Sequence, residues 1–390
     1  MAANTKPKTR LRTRRSSYAA LARAELALLA GIASTIIFST IGKGWLANLN
    51  QIHIGLPLFI WLFGVMVWCS FSVVRHADAL AELLGEPYGT LILTLSVISI
   101  EVTMIAGIML GGDNNPTLPR DTMFAILMIV LNGMVGLTLV IGALRHGQQR
   151  YNLQGATAFL AVISTLAVLS LVIPDFTTST PTSTFSPSQA IVFGTLTLLL
   201  YGAFLMIQTV RHRTFFLEPE GEPKPAEELS VGHAEHRIKI RSIPFHAILL
   251  FLTLLQVILL SKSLSKILNH GVEELGVPIA LGGIIIAMMV LAPEAMAAIE
   301  AAARNKLQRA VNLCLGSALS TIGLTIPAVL AISLYTGVTL ELGLDRVELV
   351  LLMATLFISL ITFSGVPTNL LLGVVHLVLF LSYLTLVFAP

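Results

Sequence analysis

Polar and apolar residues are not interleaved in this chain; the apolar ones gather in long blocks with polar joints between them. A block of about 20 residues lets an α-helix cross the ~30 Å hydrocarbon core of a bilayer with its backbone groups bonded internally. Against that length the pattern predicts eleven transmembrane helices: 25–47, 54–74, 89–110, 122–143, 153–173, 189–210, 245–267, 277–302, 309–334, 346–364 and 368–388. The joints are short, except for a Thr/Ser/Pro-rich one at 174–188 and a polar one at 211–244. The expected fold is an all-α polytopic membrane protein.

Basic residues set the direction of the helices. With a cytoplasmic N-terminus, nineteen of the 24 Lys and Arg lie on that side, seven of them in the 1–24 tail and six in 211–244. Only Lys43, Arg120, Lys262, Lys266 and Arg346 fall outside. The bias predicts an N-in, C-out chain. Beyond the first helix, ten remain: five in 54–210 and five in 245–388, joined by a cytoplasmic loop at 211–244. An odd number per half inverts one half relative to the other. Leu84-Gly85-Glu86-Pro87 is echoed by Leu275-Gly276-Val277-Pro278, and Gly136-Leu137-Thr138-Leu139 by Gly323-Leu324-Thr325-Ile326. Inverted repeats with functional groups near the midplane are the usual build of secondary transporters.

Composition narrows the class further. The chain has 390 residues, 55% hydrophobic and 12% charged, with a mean hydropathy of +0.85, far more apolar than a soluble domain. Cys69 and Cys314 lie inside apolar blocks without metal-ligand spacing. The basic tail stands directly before a membrane span, so it reads as an orientation anchor rather than a nucleic-acid arm. The first block is too long for a cleaved signal peptide and has no clear cleavage site. No G-x-x-x-x-G-K-[ST] or H-E-x-x-H motif and no soluble catalytic domain is present, which points to a transporter driven by an ion gradient rather than an enzyme or ATP-driven pump.

Two carboxylates stand out. Glu101 is the sole ionisable residue of the third block, and Glu294 lies in the eighth. A charge at that depth costs at least ~2.5 kcal/mol, so the group needs a partner, a proton or an ion. Thr90 and Thr94 share Glu101's helical face, while Ser96, Ser99 and Thr103 point away toward backbone carbonyls or neighbouring helices. Gly283 and Ala287 share Glu294's face and admit another backbone. Pro293 removes an N–H and frees the carbonyl of Met289. Carboxylates, carbonyls and hydroxyls make an all-oxygen environment suited to Ca²⁺ or Na⁺.

Further polar groups have two readings each. Asn312, Gly316, Ser320 and Gly323 form one stripe, and Asn132 with Gly136 another; both serve either the site or small-residue helix packing. His376 offers a proton relay or packs as a hydrogen-bonded histidine. The 211–244 loop, with six acids offset by six bases, reads as a flexible linker or as a cation or pH sensor.

Three stretches, SFSVVRHADALAELLGEPYGTLILTLSVISIEVT, DTMFAILMIVLNGMVGLTLVIG and LAPEAMAAIEAAARNKLQRAVNLCLGSALSTIGLTIP, resemble the bacterial calcium/proton antiporters of the ChaA kind, in the calcium/cation antiporter superfamily. The resemblance spans roughly 68–390. It implies an eleven-helix exchanger with Glu101 and Glu294 as paired repeat acids binding cation or proton. The wider superfamily has Gly-Asn shortly before each acid. Here Ser96-Val97-Ile98-Ser99-Ile100 and Val290-Leu291-Ala292-Pro293 stand instead, which removes amide oxygens from the implied site. The resemblance to the ChaA kind implies Ca²⁺ and H⁺ as transported ions, with Na⁺ and K⁺ beside them. The expectation is an antiporter of inorganic cations in a bacterial inner membrane, without cofactor. Its rivals are a cation channel using the same acids as a selectivity site and an intramembrane enzyme.

Overall fold

The computed structural model describes residues 25–47, 49, 52–84, 88–109, 116–218, 242–276, 278, 280–365 and 367–389. Among these there is no strand. The helices are α1 (Leu26–Ser39, continued by Gly42–Ala47), α2 (Ile52–Leu84), α3 (Tyr88–Met109), α4 (Leu118–His146), α5 (Leu153–Phe176) and α6 (Pro187–Arg211). They continue as α7 (Ile243–Leu275), α8 (Ala280–Ala303), α9 (Leu307–Thr336), α10 (Arg346–Thr362) and α11 (Leu370–Phe388). Eight are long and apolar enough to cross a membrane; α1 and the apolar stretch Leu95–Gly107 of α3 are shorter, and α10 has 17 residues. The 1–24 tail and most of the 211–244 loop lie outside the described residues.

Helix ends follow local chemistry. Ser186 and Gln189 form a capping box with Pro187 in the first turn of α6, satisfying otherwise orphaned N–H groups. Asn152 caps α5 and Asn369 caps α11 in the same way. α2 runs ten residues beyond the predicted apolar block, through Arg75-His76-Ala77-Asp78 to Leu84. These residues are good helix formers that leave the lipid pattern without leaving the helix. α1 is interrupted where Thr40 turns its hydroxyl onto the carbonyls of Ile36 and Ile37.

Two apolar clusters organise the bundle. One joins α1, α2 and α7 to the faces of α3 and α8 through Leu62, Met66, Cys69, Val257, Leu260, Ile100 and Met289. The other gathers α4, α5, α9, α10 and α11 around Phe124, Phe159, Cys314 and Tyr383. α4 and α9 are central, with 83% and 78% of their apolar windows buried, against 17% for α11. Both contain a π-turn, Ile129–Met134 in α4 and Thr321–Thr325 in α9. Such turns offset the backbone ladder and recur at functional sites. Glycines let the central helices touch: a Cβ on Gly283 of α8 would lie 2.9 Å from the Thr122 nitrogen of α4, and Gly136 of α4 meets Gly373 of α11. Gly323 is covered by the Tyr201 ring. These glycines serve helix packing.

Candidate functional site

α3 and α8 each deliver a carboxylate to α9. The Thr321 hydroxyl donates to Glu101 Oε2 at 2.9 Å, and the Ser317 hydroxyl donates to Glu294 Oε2. Ser317 and Thr321 are one turn apart on one face, where Cβ atoms stand roughly 5–6 Å from each other. Holding one acid each, Ser317 and Thr321 bring the two carboxylates to one region of α9. Among the described residues no ion pair reaches either acid.

Coordination around Glu101 is incomplete. The Thr325 hydroxyl faces the same carboxylate, yet Glu101 Oε1 and Thr325 Oγ1 are both buried without a hydrogen-bond partner among the described residues. Unpaired oxygens in a dry interior are costly unless a proton or a cation joins them. The Glu101, Thr321 and Thr325 donors are all oxygen, which fits a hard cation.

Glu294 has a different outlook. It lines a cavity of about 380 Å³ together with Asn312, Gly316, Ser317 and Ser320. The cavity extends past Gln308 and Arg309 to Phe216 and Glu218, at the start of the polar loop. An aromatic trio sits on its wall, with ring centroids 4.8 Å apart for Phe159–Phe204 and 5.3 Å for Phe159–Phe216. Asn312 Nδ2 donates to the Phe216 carbonyl at 2.7 Å, and Gln308 Nε2 to Asn312 Oδ1 at 2.8 Å, which pins the loop's start onto α9.

The other expected residues are distributed around this pair. Asn312 and Ser320 share the cavity with Glu294, although Ser320 spends its hydrogen on the Ser317 carbonyl. Met289 and Pro293 are buried within α8. The Thr90 and Thr94 side chains lie outside the described residues. Ser96 and Ser99 bond the carbonyls of Ile92 and Leu95. Asn132 is not brought to the carboxylates: its Nδ2 donates to Thr355 at 2.8 Å and its Oδ1 faces His376 Nδ1 at 3.1 Å. His376 Nε2 meets the Thr362 hydroxyl at 3.0 Å. Both ring nitrogens are thus engaged by uncharged partners, as a buried packing histidine requires.

Sequence reasoning missed Ser317, Thr321 and Thr325. Their i, i+4, i+8 spacing was the available signal. It was masked by the adjacent stripe of small residues on the same helix.

Comparison with known proteins identifies the family. The chain matches the family described as sodium/calcium exchanger protein over residues 54–210 and 245–389. It is 44% identical to the putative ionic transporter y4hA of Sinorhizobium fredii, across 84% of this chain and 87% of that protein. It is 39% identical to the sodium-potassium/proton antiporter ChaA of Escherichia coli, across 82% of this chain and 86% of that one. The fold superposes on the Ca²⁺/H⁺ antiporter protein YfkE with a TM-score of 0.70 at 18% identity, covering 94% of this chain and 98% of that one. The family match over both halves and the 39% identity to an antiporter across most of both chains place the chain in the sodium/calcium exchanger family, as an antiporter of the ChaA type.

Proposed function

We propose that the chain carries Ca²⁺, Na⁺ or K⁺ out of the cell in exchange for entering protons, with Glu101 and Glu294 holding protons and cation in turn. The observation that carries this reading is the convergence of two carboxylates from different helices on one turn of α9. No basic group among the described residues neutralises them. A doubly negative pocket out of water must be neutralised, and two protons or one divalent cation each do so. They cannot do so together. Competition for one site that opens alternately to either side is antiport.

The accessibility of Glu294 supports an inward-open arrangement. The cavity leads from Glu294 toward the polar loop. Toward the opposite end, Gly283 is pressed against the backbone of Asp121 and Thr122. Nearby, Arg120 donates to Asp121 Oδ1 at 2.8 Å and to the Gly343 carbonyl at 2.6 Å, fastening α4 to the segment before α10. The N-in, eleven-span, inverted-repeat topology is part of the proposal. Supporting it, ends that the charge count assigns to one side are in contact: Glu25 and His246 with His76, and Arg120 with Gly343. Bacterial relatives favour the inner membrane.

All-oxygen donors accept hard cations of either charge, so Ca²⁺, Na⁺ and K⁺ are all candidates. The test is collapse of a pH gradient in everted vesicles or proteoliposomes on adding Ca²⁺, Na⁺, K⁺ or Mg²⁺. Wild type collapses it with at least one of the first three. Glu101→Gln and Glu294→Gln each abolish the response while the protein still purifies folded. Normal exchange by either variant, or cation flux that ignores the proton gradient as through a channel, overturns the reading.

A further inference from the structure

A second cluster of titratable groups lies away from the carboxylate pair, where the ends of α1, α2 and α7 meet. His76 of α2 is 1% exposed and His246 of α7 is 5% exposed. Their Nδ1 atoms face each other at 3.0 Å. On its other side His76 Nε2 stands 3.0 Å from Glu25 Oε2 at the head of α1. Arg75 Nη2 donates to the same Glu25 oxygen at 2.9 Å and to the Ser72 hydroxyl at 3.0 Å. It also lies 3.3 Å from His76 Nε2. The neighbouring Asp78 senses Arg309. The charged or titratable groups that face the histidine pair, among the described residues, are therefore Glu25 from α1, Arg75 from α2, and the histidines themselves.

Two Nδ1 atoms at hydrogen-bonding distance share one proton, since one must donate and the other accept. With both rings neutral the bond forms. With one ring positively charged it still forms, because that ring donates to the neutral one, and Glu25 stands beside His76 to balance the charge. With both rings charged, two N–H groups point at each other and the bond is lost. The bond tolerates one added proton but not two, so the second proton is the one that separates the helices.

We propose that His76, His246 and Glu25 form a proton-binding site distinct from the transport carboxylates, which clasps α1, α2 and α7 together and releases them when a second proton binds the histidine pair. The clasped helices are not bystanders. α2 and α7 share one apolar cluster with Ile100, next to Glu101, and with Met289 and Val290 of α8. A bond that fixes the ends of α2 and α7 therefore bears on the wall behind both acids. On the antiport reading, which the transport arm of the test assumes, each cycle brings protons inward. A clasp that opens on cytoplasmic acidification slows the exchanger when further proton entry would be harmful.

The decisive comparison is peptide hydrogen exchange of the detergent-purified full chain at pH 8 and pH 6, corrected for intrinsic rates. In wild type, amides around 70–76 and 243–250 lose protection by at least about fivefold at pH 6, the effect of one lost hydrogen bond on local opening. His246→Gln keeps an amide that accepts from charged His76 and donates to neutral His76, so its protection stays flat with pH. His246→Ala has no clasp and shows low protection at both values. In proteoliposomes His246→Gln matches wild-type exchange at pH 8 and retains it at pH 6, where wild type slows. Wild-type protection that is flat with pH, or an unchanged pH 6 loss in His246→Gln, overturns the proposal. If wild type shows no cation/proton exchange, the antiport reading falls, and the clasp is judged by hydrogen exchange alone.

Discussion

Glu101 and Glu294 come from helices in corresponding places of the two halves, yet their surroundings differ. Glu101 is 2% exposed and has an oxygen with no partner among the described residues, whereas Glu294 looks into a cavity. The contrast traces to the helices that face them. α9 presents Ser317, Thr321 and Thr325 around its π-turn. Registered on the echo of Gly136 with Gly323, α4 presents Val130, Met134 and Thr138 at the matching places. Of these three, only Thr138 carries a hydroxyl, and it turns onto the Val135 carbonyl. The polar residue of the α4 π-turn, Asn132, faces α10 and α11 instead. Both halves supply a carboxylate, but one half supplies the hydroxyls. The pair is therefore a lopsided site, sealed at one acid and open to a cavity at the other.

Shortening each acid by one methylene gives the largest difference. In Glu101→Asp the carboxylate withdraws from both the cation and Thr321 in dry surroundings, and losing the two contacts together costs about 2–3 kcal/mol, roughly 30–150-fold in apparent cation affinity. In Glu294→Asp a cavity water bridges to Ser317 nearly as well as a direct bond, limiting the loss to less than about tenfold. Titrating exchange rate against cation concentration in proteoliposomes checks both. Equal losses would show that the two acids are equivalent.

The tight contact of α8 with α4 contrasts with the open cavity wall around Gly316. A Cβ on Gly283 would meet backbone atoms of Asp121 and Thr122 at 2.9–3.1 Å, and backbone cannot move aside cheaply. Gly283→Ala should destabilise the protein by about 1–3 kcal/mol, as overpacking does. Around Gly316 the nearest atom is a Phe159 ring carbon at 3.9 Å, so Gly316→Ala is close to neutral. Thermal unfolding of the two variants in detergent separates them. A stable Gly283→Ala would mean that α4 and α8 are not in fixed contact.

Much of this was legible in the sequence, for identifiable reasons. Apolar blocks located the helices, and an acid inside such a block had to be there for a purpose. Contacts between helices were less accessible. Nothing local to Glu101 specifies Thr321 as its partner, because that pairing follows from how α3 crosses the π-turn of α9. The polarity of Asn132 and His376 left site and packing readings both open in the sequence, and the structure has the two buried groups facing each other from different helices. The block pattern also ended α2 at residue 74, since hydropathy registers lipid contact whereas helix propensity continues to Leu84. The histidine pair became visible only when α2 and α7 were placed side by side.

The smallest expected effect tests the hydroxyls themselves. Thr321→Val preserves shape and removes the donor to Glu101, and burial keeps water from replacing it. The result is a loss of about 1 kcal/mol, roughly fivefold in apparent cation affinity. Ser317→Ala removes the donor to Glu294 from a group that lines the cavity, where an ordered water takes over its bond and the change stays within about twofold. If Ser317→Ala proved the more damaging, Glu294 would be holding the cation in a dehydrated pocket. The cavity would then be closed during the binding step, leaving Glu101 as the acid that water reaches. Apparent affinities for the same cation, measured in both variants at one pH, distinguish the two orders.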